Sequence, residues 1–508
     1  MRRFTSPHSR VPEVHFLNNG HYQVMITNAG GGFSRWGDLM LTRWREDSTS
    51  DPWGTFVYLR DLATGEYWST GYQPALQPPD RYEVIFSEGL AEFKMQRSGI
   101  EVQMTICVSG KHDVELRRVR LVNHSPQSRS IELTSYAEIV LAYPAADAAH
   151  PTFSNLFVQT EFEPNEKVLL CKRRPRSEGE NPPWLLHAIA GQDGGDISYE
   201  TDRARFVGRN RTPARPAAME KGEALSLTTG SVLDPIVSLR RAFILEPENA
   251  VEIDLVFCAA ENRDSAIAIS KEYRQRDLAD HAFEAARNQT PPLEVSPVEL
   301  EHYEKLASAL IYADAAHRAA PEVLLQNRLG QSGLWRHGIS GDIPIALARL
   351  RESADLALAK QLIQGSSYWR SKGIAVDIVL LLEHPLSSSQ SLDQELANLA
   401  AQSAKIIRMD QIPSEEAVLL QTAARIVLPN RGSGSELRVP GSERDPGEAE
   451  LTSVEASPTP SKSAPSPRSI AEPGTRNPEP HPPTAASQSI SPAAASLTVA
   501  FPAAAVLQ

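Results

Sequence analysis

Apolar and polar residues alternate with a period of two over most of the first 260 residues. Successive side chains of a strand point to opposite faces, so this alternation is typical of sheets with one buried face. Gly, Pro, Asn and Asp separate the segments, and the pattern predicts a large antiparallel β domain of packed sheets at residues 11–262. The in-phase apolar positions are Tyr22/Val24/Ile26, Val102/Met104/Ile106/Val108, Ile131/Leu133, Val237/Leu239/Phe243/Leu245 and Val251/Ile253/Leu255/Phe257.

The period then changes to that of a helix. Residues 264–288 and 297–318 predict two helices within a linker at 263–329. Residues 330–428 predict a mixed α and β region, with helices at 342–351, 354–372, 390–405 and 415–426 and strands at 374–382 and 406–409. The Pro/Ser-rich tail at 429–508 cannot bury a core and is predicted to be disordered, as is the polar start at 1–10.

Composition narrows the choice of ligand. The 508 residues carry a net charge of −12 with acids and bases interspersed, which disfavours nucleic acid and anionic membranes and favours a neutral ligand. The three cysteines, Cys107, Cys171 and Cys258, lie in strand-like runs without metal-ligand spacing, so we interpret them as buried thiols and expect no metal or cofactor. Without a long apolar run or a signal peptide, the expected compartment is the cytoplasm.

The stretch from Leu334 to Pro344 separates β-patterned from helix-patterned sequence. Gly338 and Gly341 indicate a sharp turn, and Asp342 stands where a helix N-cap is expected. Arg336 and Asp342, six positions apart across the turn, are candidates to bind one hydroxylated ligand. The alternative is that Asp342 only caps the helix and Arg336 only pairs with it.

A second candidate region follows three adjacent glycines, Gly30 to Gly32. Trp36, Trp44 and Trp53 are interspersed there with Arg and Asp, a mixture that stacks on sugars and hydrogen-bonds to their hydroxyl groups. The alternative is a glycine bulge followed by an amphipathic strand with its own Arg/Asp pairs. No Gly-Lys-Ser/Thr motif follows, so nucleotide binding is not supported.

These motifs, in this order, resemble glycoside hydrolase family 94, which includes cellobiose and oligoglucan phosphorylases and the carboxy-terminal part of cyclic β-1,2-glucan synthases. The resemblance covers roughly residues 11–428 and is strongest to the glucan synthases. The similar stretches are 28–61, Gly71-Tyr72-Gln73-Pro74, Gly330-Gln331-Ser332-Gly333-Leu334-Trp335, Tyr368-Trp369-Arg370, Lys372-Gly373-Ile374-Ala375-Val376-Asp377 and Asp410-Gln411-Ile412-Pro413.

The resemblance implies a mainly β fold with α: a β-supersandwich, a helical linker, and then an (α/α)6 barrel, of which residues 330–428 would be a truncated start. Phosphorylases of this kind break a glucosidic bond with inversion. A single carboxylic acid protonates the leaving oxygen while phosphate attacks the opposite face of the sugar. Arg336 and Asp342 would bind sugar hydroxyls in the cleaved subsite. The general acid and the phosphate site would lie further along the barrel, and the membrane region that tethers relatives to the inner membrane is not expected here.

Two functions are therefore expected. The first is a fragment of a cyclic β-1,2-glucan synthase or glycan phosphorylase that binds carbohydrate in β-glucan metabolism. Such a fragment is expected to be inactive alone because it lacks the general acid. The second is a non-catalytic β-glucan-binding module, or a subunit completed by a partner chain. The expected ligand is a β-glucan or glucooligosaccharide, with inorganic phosphate only if the barrel is supplied. A homodimer, and whether the chain is an enzyme, stay open.

Overall fold

The computed structural model describes residues 1–428 except 176, 192–194, 221, 292, 294, 352–354, 384–395, 397 and 399–403. The predicted tail and most of the predicted helix at 390–405 lie outside the described residues. The strands β1 to β22 are Arg2–Phe4, Val14–Asn18, Tyr22–Thr27, Gly32–Trp36, Leu39–Thr42, Thr55–Asp61, Tyr67–Ser69, Arg81–Ser87, Leu90–Arg97, Ile100–Val108, Val114–Asn123, Arg129–Ala142, Val158–Glu163, Val168–Arg173, Trp184–Gly191, Ser198–Asp202, Pro235–Leu245, Ala250–Ala260, Ile345–Leu350, Asp377–Leu382, Lys405–Arg408 and Ile426–Leu428. The helices α1 to α11 are Pro144–Ala149, Pro151–Asn155, Arg203–Val207, Ala217–Glu220, Arg263–Arg274, Arg276–Arg287, Pro297–Ile311, Pro321–Gln326, Ser332–Trp335, Leu356–Ser371 and Ser414–Ala423.

Two antiparallel sheets form the β domain. The first has nine strands in the order β1-β8-β9-β10-β11-β18-β15-β14-β13. The second follows the order β16-β17-β12-β5-β4-β3-β2, with β6 paired to β12 and β7 paired to β6. The long strand β12 holds this sheet together, because it pairs with β17 on one side and with β6 and β5 on the other.

The core between the sheets consists of the residues that alternate along the strands. Every in-phase apolar position named from the sequence belongs to one buried cluster, from Tyr22 in β3 to Phe257 in β18. The predicted large antiparallel β domain is therefore confirmed. The outer faces are covered as well: α5 and α6 pack on the first sheet around Tyr273 and Phe283, and α7 and α10 pack beside β2 to β4 around Tyr303 and Trp369.

The linker helices differ in detail from the prediction. The helical pattern at 264–288 is divided between α5 and α6, and α7 ends at Ile311 instead of continuing to 318. A capping box between Ser296 and Glu299 sets the start of α7, which satisfies two amide groups reciprocally. No described helix is long and apolar enough to cross a membrane.

The prediction of a helix at 342–351 is wrong. Residues Ile345–Leu350 form the strand β19, which has parallel partners on both sides, β20 and β22. A central parallel strand is covered on both faces, so its apolar residues do not alternate and their spacing imitates a helix. Asp342 consequently caps no helix. The predicted helix at 354–372 and the two predicted strands are confirmed as α10, β20 and β21.

The same sheet corrects the architecture expected of residues 330–428. Its four strands run in the order β21-β20-β19-β22 and are all parallel, with α10 connecting β19 to β20. Parallel neighbours require such crossovers, and the helices cover the faces of the sheet. The described residues thus form an α/β unit, and they do not support the start of an (α/α)6 barrel.

The predicted disorder of residues 1–10 is wrong for the first strand. Arg2–Phe4 pairs with β8, and the guanidinium of Arg2 donates to the Glu304 carboxylate at 2.9 Å and to Glu13 at 3.2 Å. The Arg2 side chain is 4% exposed. A buried charge is retained when it is paired, and its partner here lies about three hundred positions away in α7, where no local pattern could indicate it.

Candidate functional site

The triple glycine lets a loop approach the hairpin of β3 and β4. A side chain at Gly32 would place its Cβ 1.9 Å from the carbonyl oxygen of Met25, and one at Gly31 would place it 2.5 Å from a carboxylate oxygen of Asp51. The amide of Gly32 donates to the carbonyl oxygen of Trp53 at 2.6 Å. The glycines therefore hold residues 51–53 against the sheet, a more specific role than the glycine bulge that was the alternative interpretation.

Asp51 is the buried acid of this loop. One oxygen accepts from the hydroxyl of Thr27 at 2.5 Å, and the other accepts from the hydroxyl of Tyr312 at 2.8 Å. Burial raises the pKa of Asp51 to about 7, although both hydroxyl bonds favour the charged form. This carboxyl group therefore titrates near neutrality. It also connects the hairpin to the residue that follows α7.

Two adjacent clefts open on either side of the same loop. The first, of about 330 Å³, is polar, and its lining includes His8, Asn28, Thr49, Asp51 and Tyr72. The second, of about 240 Å³, is mostly apolar, and its lining includes Trp53, Pro74, Glu138, Arg203, Thr212 and Pro213. Ser50, Gln73 and Leu76 line both clefts. The two clefts thus share a rim.

A buried ion-pair network forms one wall of the second cleft. The carboxylate of Glu138 accepts from Arg43 at 3.0 Å and from Arg203 at 2.6 Å. Arg43 also contacts Asp147 at 3.3 Å and Asn155 at 2.5 Å. The neighbouring oppositely charged groups outweigh burial and raise the pKa values of both arginines. The pairing holds the charged side chains of this wall in place.

Sequence reasoning missed most of this network. Neither Arg203 nor Glu138 was identified as a candidate site residue from the sequence. Glu138 lies 95 positions from Arg43 and 65 positions from Arg203, so no spacing rule connects them. The one available signal was the Arg43-Trp44-Arg45 motif, whose first arginine reaches the network.

The three tryptophans named as secondary sugar contacts lie in different places. The indole N–H of Trp36 donates to Asp113 at 2.6 Å, and that of Trp44 donates to the hydroxyl of Tyr312 at 3.3 Å. Trp44 also packs against the core beside α7. Trp53 alone of the three is among the residues that line either cleft.

The turn that carries Arg336 and Asp342 lies on the α/β unit. The Arg336 side chain is 62% exposed and forms an ion pair with Glu416 of α11, which also contacts His337 at 3.0 Å. The carboxylate of Asp342 accepts from the side-chain amide of Gln331 at 3.0 Å. The two candidates are therefore held by different partners, and their joint contact with a ligand stays a prediction.

The fold and the site together define a class of protein. Two stacked antiparallel sheets with helices on their outer faces place the chain among the β-sandwich proteins, and the two clefts have the concave form of small-molecule sites. The family model described as "Glycosyl hydrolase 94, supersandwich domain" matches residues 1–276. The chain belongs to glycoside hydrolase family 94.

Several characterised relatives are similar to the chain. The cyclic β-(1,2)-glucan synthase NdvB of Rhizobium meliloti (strain 1021) is 35% identical over 405 residues, which is 78% of this chain and 14% of the relative. The N,N'-diacetylchitobiose phosphorylase of Vibrio proteolyticus is 26% identical over 288 residues, 56% of this chain and 35% of the relative. The solabiose phosphorylase of Paenibacillus borealis is 23% identical over 279 residues, 53% of this chain and 34% of the relative. The chain thus spans about a third or less of these relatives.

Proposed function

We propose that this chain is a carbohydrate-binding part of a cyclic β-1,2-glucan synthase-like protein of family 94 and that it acts in β-glucan metabolism. The observation that carries the proposal is the similarity of 35% over 405 residues to a cyclic β-(1,2)-glucan synthase. That length exceeds the 276 residues matched by the supersandwich model, so the similarity extends into the linker or the α/β unit. The matches to the two phosphorylases are shorter and cover 288 and 279 residues.

The proposed contribution is binding without cleavage. The described residues form a sandwich, linker helices and an α/β unit, while the resemblance places the general acid and the phosphate site of the family in an (α/α)6 barrel. Loss of a general acid alone slows such reactions by about a hundredfold to ten thousandfold. We therefore expect the purified chain to release no glucose 1-phosphate from β-1,2-glucooligosaccharides. Release at rates typical of enzymes would contradict this proposal.

Arg336 and Asp342 are part of the proposal as candidate sugar contacts. Hydrogen bonds to charged groups contribute about 1.5 to 3 kcal/mol each, so two such bonds return at most about 6 kcal/mol, from which the cost of immobilising the ligand is subtracted. We therefore expect any binding at the turn alone to have a Kd of about 1 mM or weaker. The Arg336→Ala variant tests this role, and Lys305→Ala, which removes a cation on α7 that is 32% exposed, is its control.

Isothermal titration of the full chain with β-1,2-glucooligosaccharides tests the proposed function. We expect saturable binding, and weaker or no binding of α-1,4-linked maltooligosaccharides of the same length. Heat identical to that of ligand dilution for every glucan would overturn the proposal. That the chain is a subunit completed by a partner chain stays a prediction. Its test is to add a separately produced barrel domain of the family and to measure the release of glucose 1-phosphate.

A further inference from the structure

We propose that the two clefts beside the loop 47–54 form one groove that binds a β-linked glucooligosaccharide, with Trp53 as the stacking platform. The inference rests on the proposed function and assigns it a place on the β-sandwich. The clefts share Ser50, Gln73 and Leu76, so a ligand can pass along this rim from the apolar cleft into the polar one. Their volumes, about 240 and 330 Å³, are of the order of small-molecule sites.

The loop that carries Trp53 is held on both sides. Upstream, one oxygen of Asp47 accepts from the amides of Thr49 at 2.9 Å and Ser50 at 3.2 Å. Asp51 is bound by two hydroxyl groups, and the carbonyl oxygen of Trp53 accepts from the amide of Gly32 at 2.6 Å. A half-buried aromatic side chain on such an anchored loop offers a large apolar face with little ordering cost on binding.

The apolar cleft combines a stacking face with groups that suit sugar hydroxyls. Pro74 and Pro213 line it with Trp53, and Glu138 and Arg203 form its charged wall. A sugar is apolar on the faces of its ring and carries hydroxyl groups, which both donate and accept, around the edge. The wall offers a carboxylate acceptor and guanidinium donors, which match those hydroxyls.

The charge balance of the wall favours a neutral ligand. Arg203 is 2.6 Å from Glu138 and 3.5 Å from Asp234, so its positive charge is already compensated. Asp51 lines the adjoining cleft and adds a group that becomes anionic above about neutral pH. A phosphate or another anion gains little in such surroundings. A neutral sugar chain carries no charge, so these surroundings do not disfavour its binding.

Trp53 differs from the other two candidate tryptophans in having no assigned structural partner for its ring. The indoles of Trp36 and Trp44 hydrogen-bond to Asp113 and Tyr312. The half-buried Trp184 of β15, whose ring lies 4.9 Å from the ammonium nitrogen of Lys172, is outside both sets of cleft-lining residues and is a matched control. The chain contains seven tryptophans, so its indole N–H signals are few enough to follow individually.

The experiment titrates the full chain, labelled with ¹⁵N-tryptophan, with β-1,2-glucooligosaccharides. We expect the indole signal of Trp53 to move with saturation while that of Trp184 stays fixed. Trp53→Ala should weaken binding about tenfold or more, as truncation of a central aromatic contact does, and Trp184→Ala should not. Thr212→Trp, at an exposed position of the apolar cleft, should weaken binding to a similar degree by filling it. Circular dichroism checks the fold of each variant.

The outcomes separate the groove from the proposed function. Binding that survives both Trp53→Ala and Thr212→Trp, or that Trp184→Ala or Arg336→Ala abolishes, overturns the groove and leaves carbohydrate binding in place. If Trp53→Ala does not fold, Thr212→Trp decides. If the unaltered chain binds no glucooligosaccharide and no indole signal moves, both the groove and the proposed function fail.

Discussion

The buried carboxyl group of Asp51 makes the stability of this chain depend on pH. Burial raises its pKa from 3.8 to about 7 in the folded chain. A carboxyl group with a raised folded-state pKa binds its proton more tightly when folded, so its contribution is most favourable at low pH and is lost as the pH rises through about 7. One pKa unit corresponds to about 1.4 kcal/mol, so the destabilisation above about pH 7 amounts to about 4 kcal/mol.

The Asp51→Asn variant removes this titration and keeps the shape of the side chain. Its amide can accept from one hydroxyl and donate to the other, because the hydroxyls of Thr27 and Tyr312 both donate and accept. The variant should therefore be more stable than the unaltered chain. The difference in the free energy of unfolding should grow by about 2 to 3 kcal/mol between about pH 5 and about pH 8, and it should be level at higher pH.

Urea unfolding, followed by circular dichroism over this pH range, measures the difference. Two other buried groups titrate as well: burial lowers the pKa of His187 to about 3, and it lowers that of His15 well below its ordinary value. Both histidines destabilise the fold as the pH falls, but they are present in both chains and cancel in the comparison. A difference that does not change with pH would show that Asp51 has an ordinary pKa, and the reasoning from its burial would be refuted.

Two further substitutions test close packing and buried charge, each by urea unfolding at neutral pH. Gly31→Ala should destabilise the chain by about 1 to 3 kcal/mol, because the new methyl carbon would lie 2.5 Å from the carboxylate of Asp51, whereas Gly110→Ala, with nothing within 4 Å, should change little. Lys372→Met should cost about 3 to 5 kcal/mol, since it leaves the carboxylate of Glu88 buried without its cation. Its control, Lys305→Met, breaks a pair that is 32% and 52% exposed and should cost less than about 1 kcal/mol.

The alternation of apolar residues was sufficient to predict the β domain. Burial against an opposing sheet imposes a period of two on each strand, and that period can be read without knowing the partner strand. Positions as far apart as Tyr22 and Phe257 were therefore correctly assigned to one core. The buried thiols were predictable for the same reason, because Cys107, Cys171 and Cys258 all lie in such strands and are free and buried.

Strand β19 shows where this local information ends. Its residues are buried on both faces by parallel neighbours, so the sequence carries no alternation and fits a helix equally well. Only the pairing with β20 and β22 decides the conformation. The same holds for Arg2, whose order depends on a carboxylate in α7.

The candidate site was likewise predictable from the sequence only in part. Residue types alone indicated sugar-binding chemistry near Trp53 and a special role for the glycines at 30–32. The joining of Glu138 to Arg203, and the burial that raises the pKa of Asp51 to about 7, depend on segments that meet only in the folded chain. Composition and spacing can be read from residues that are close in the sequence. Ion pairing and desolvation depend on residues that are distant in the sequence and meet only in the folded chain. Tertiary structure alone therefore decided which of the candidate tryptophans lines a cleft.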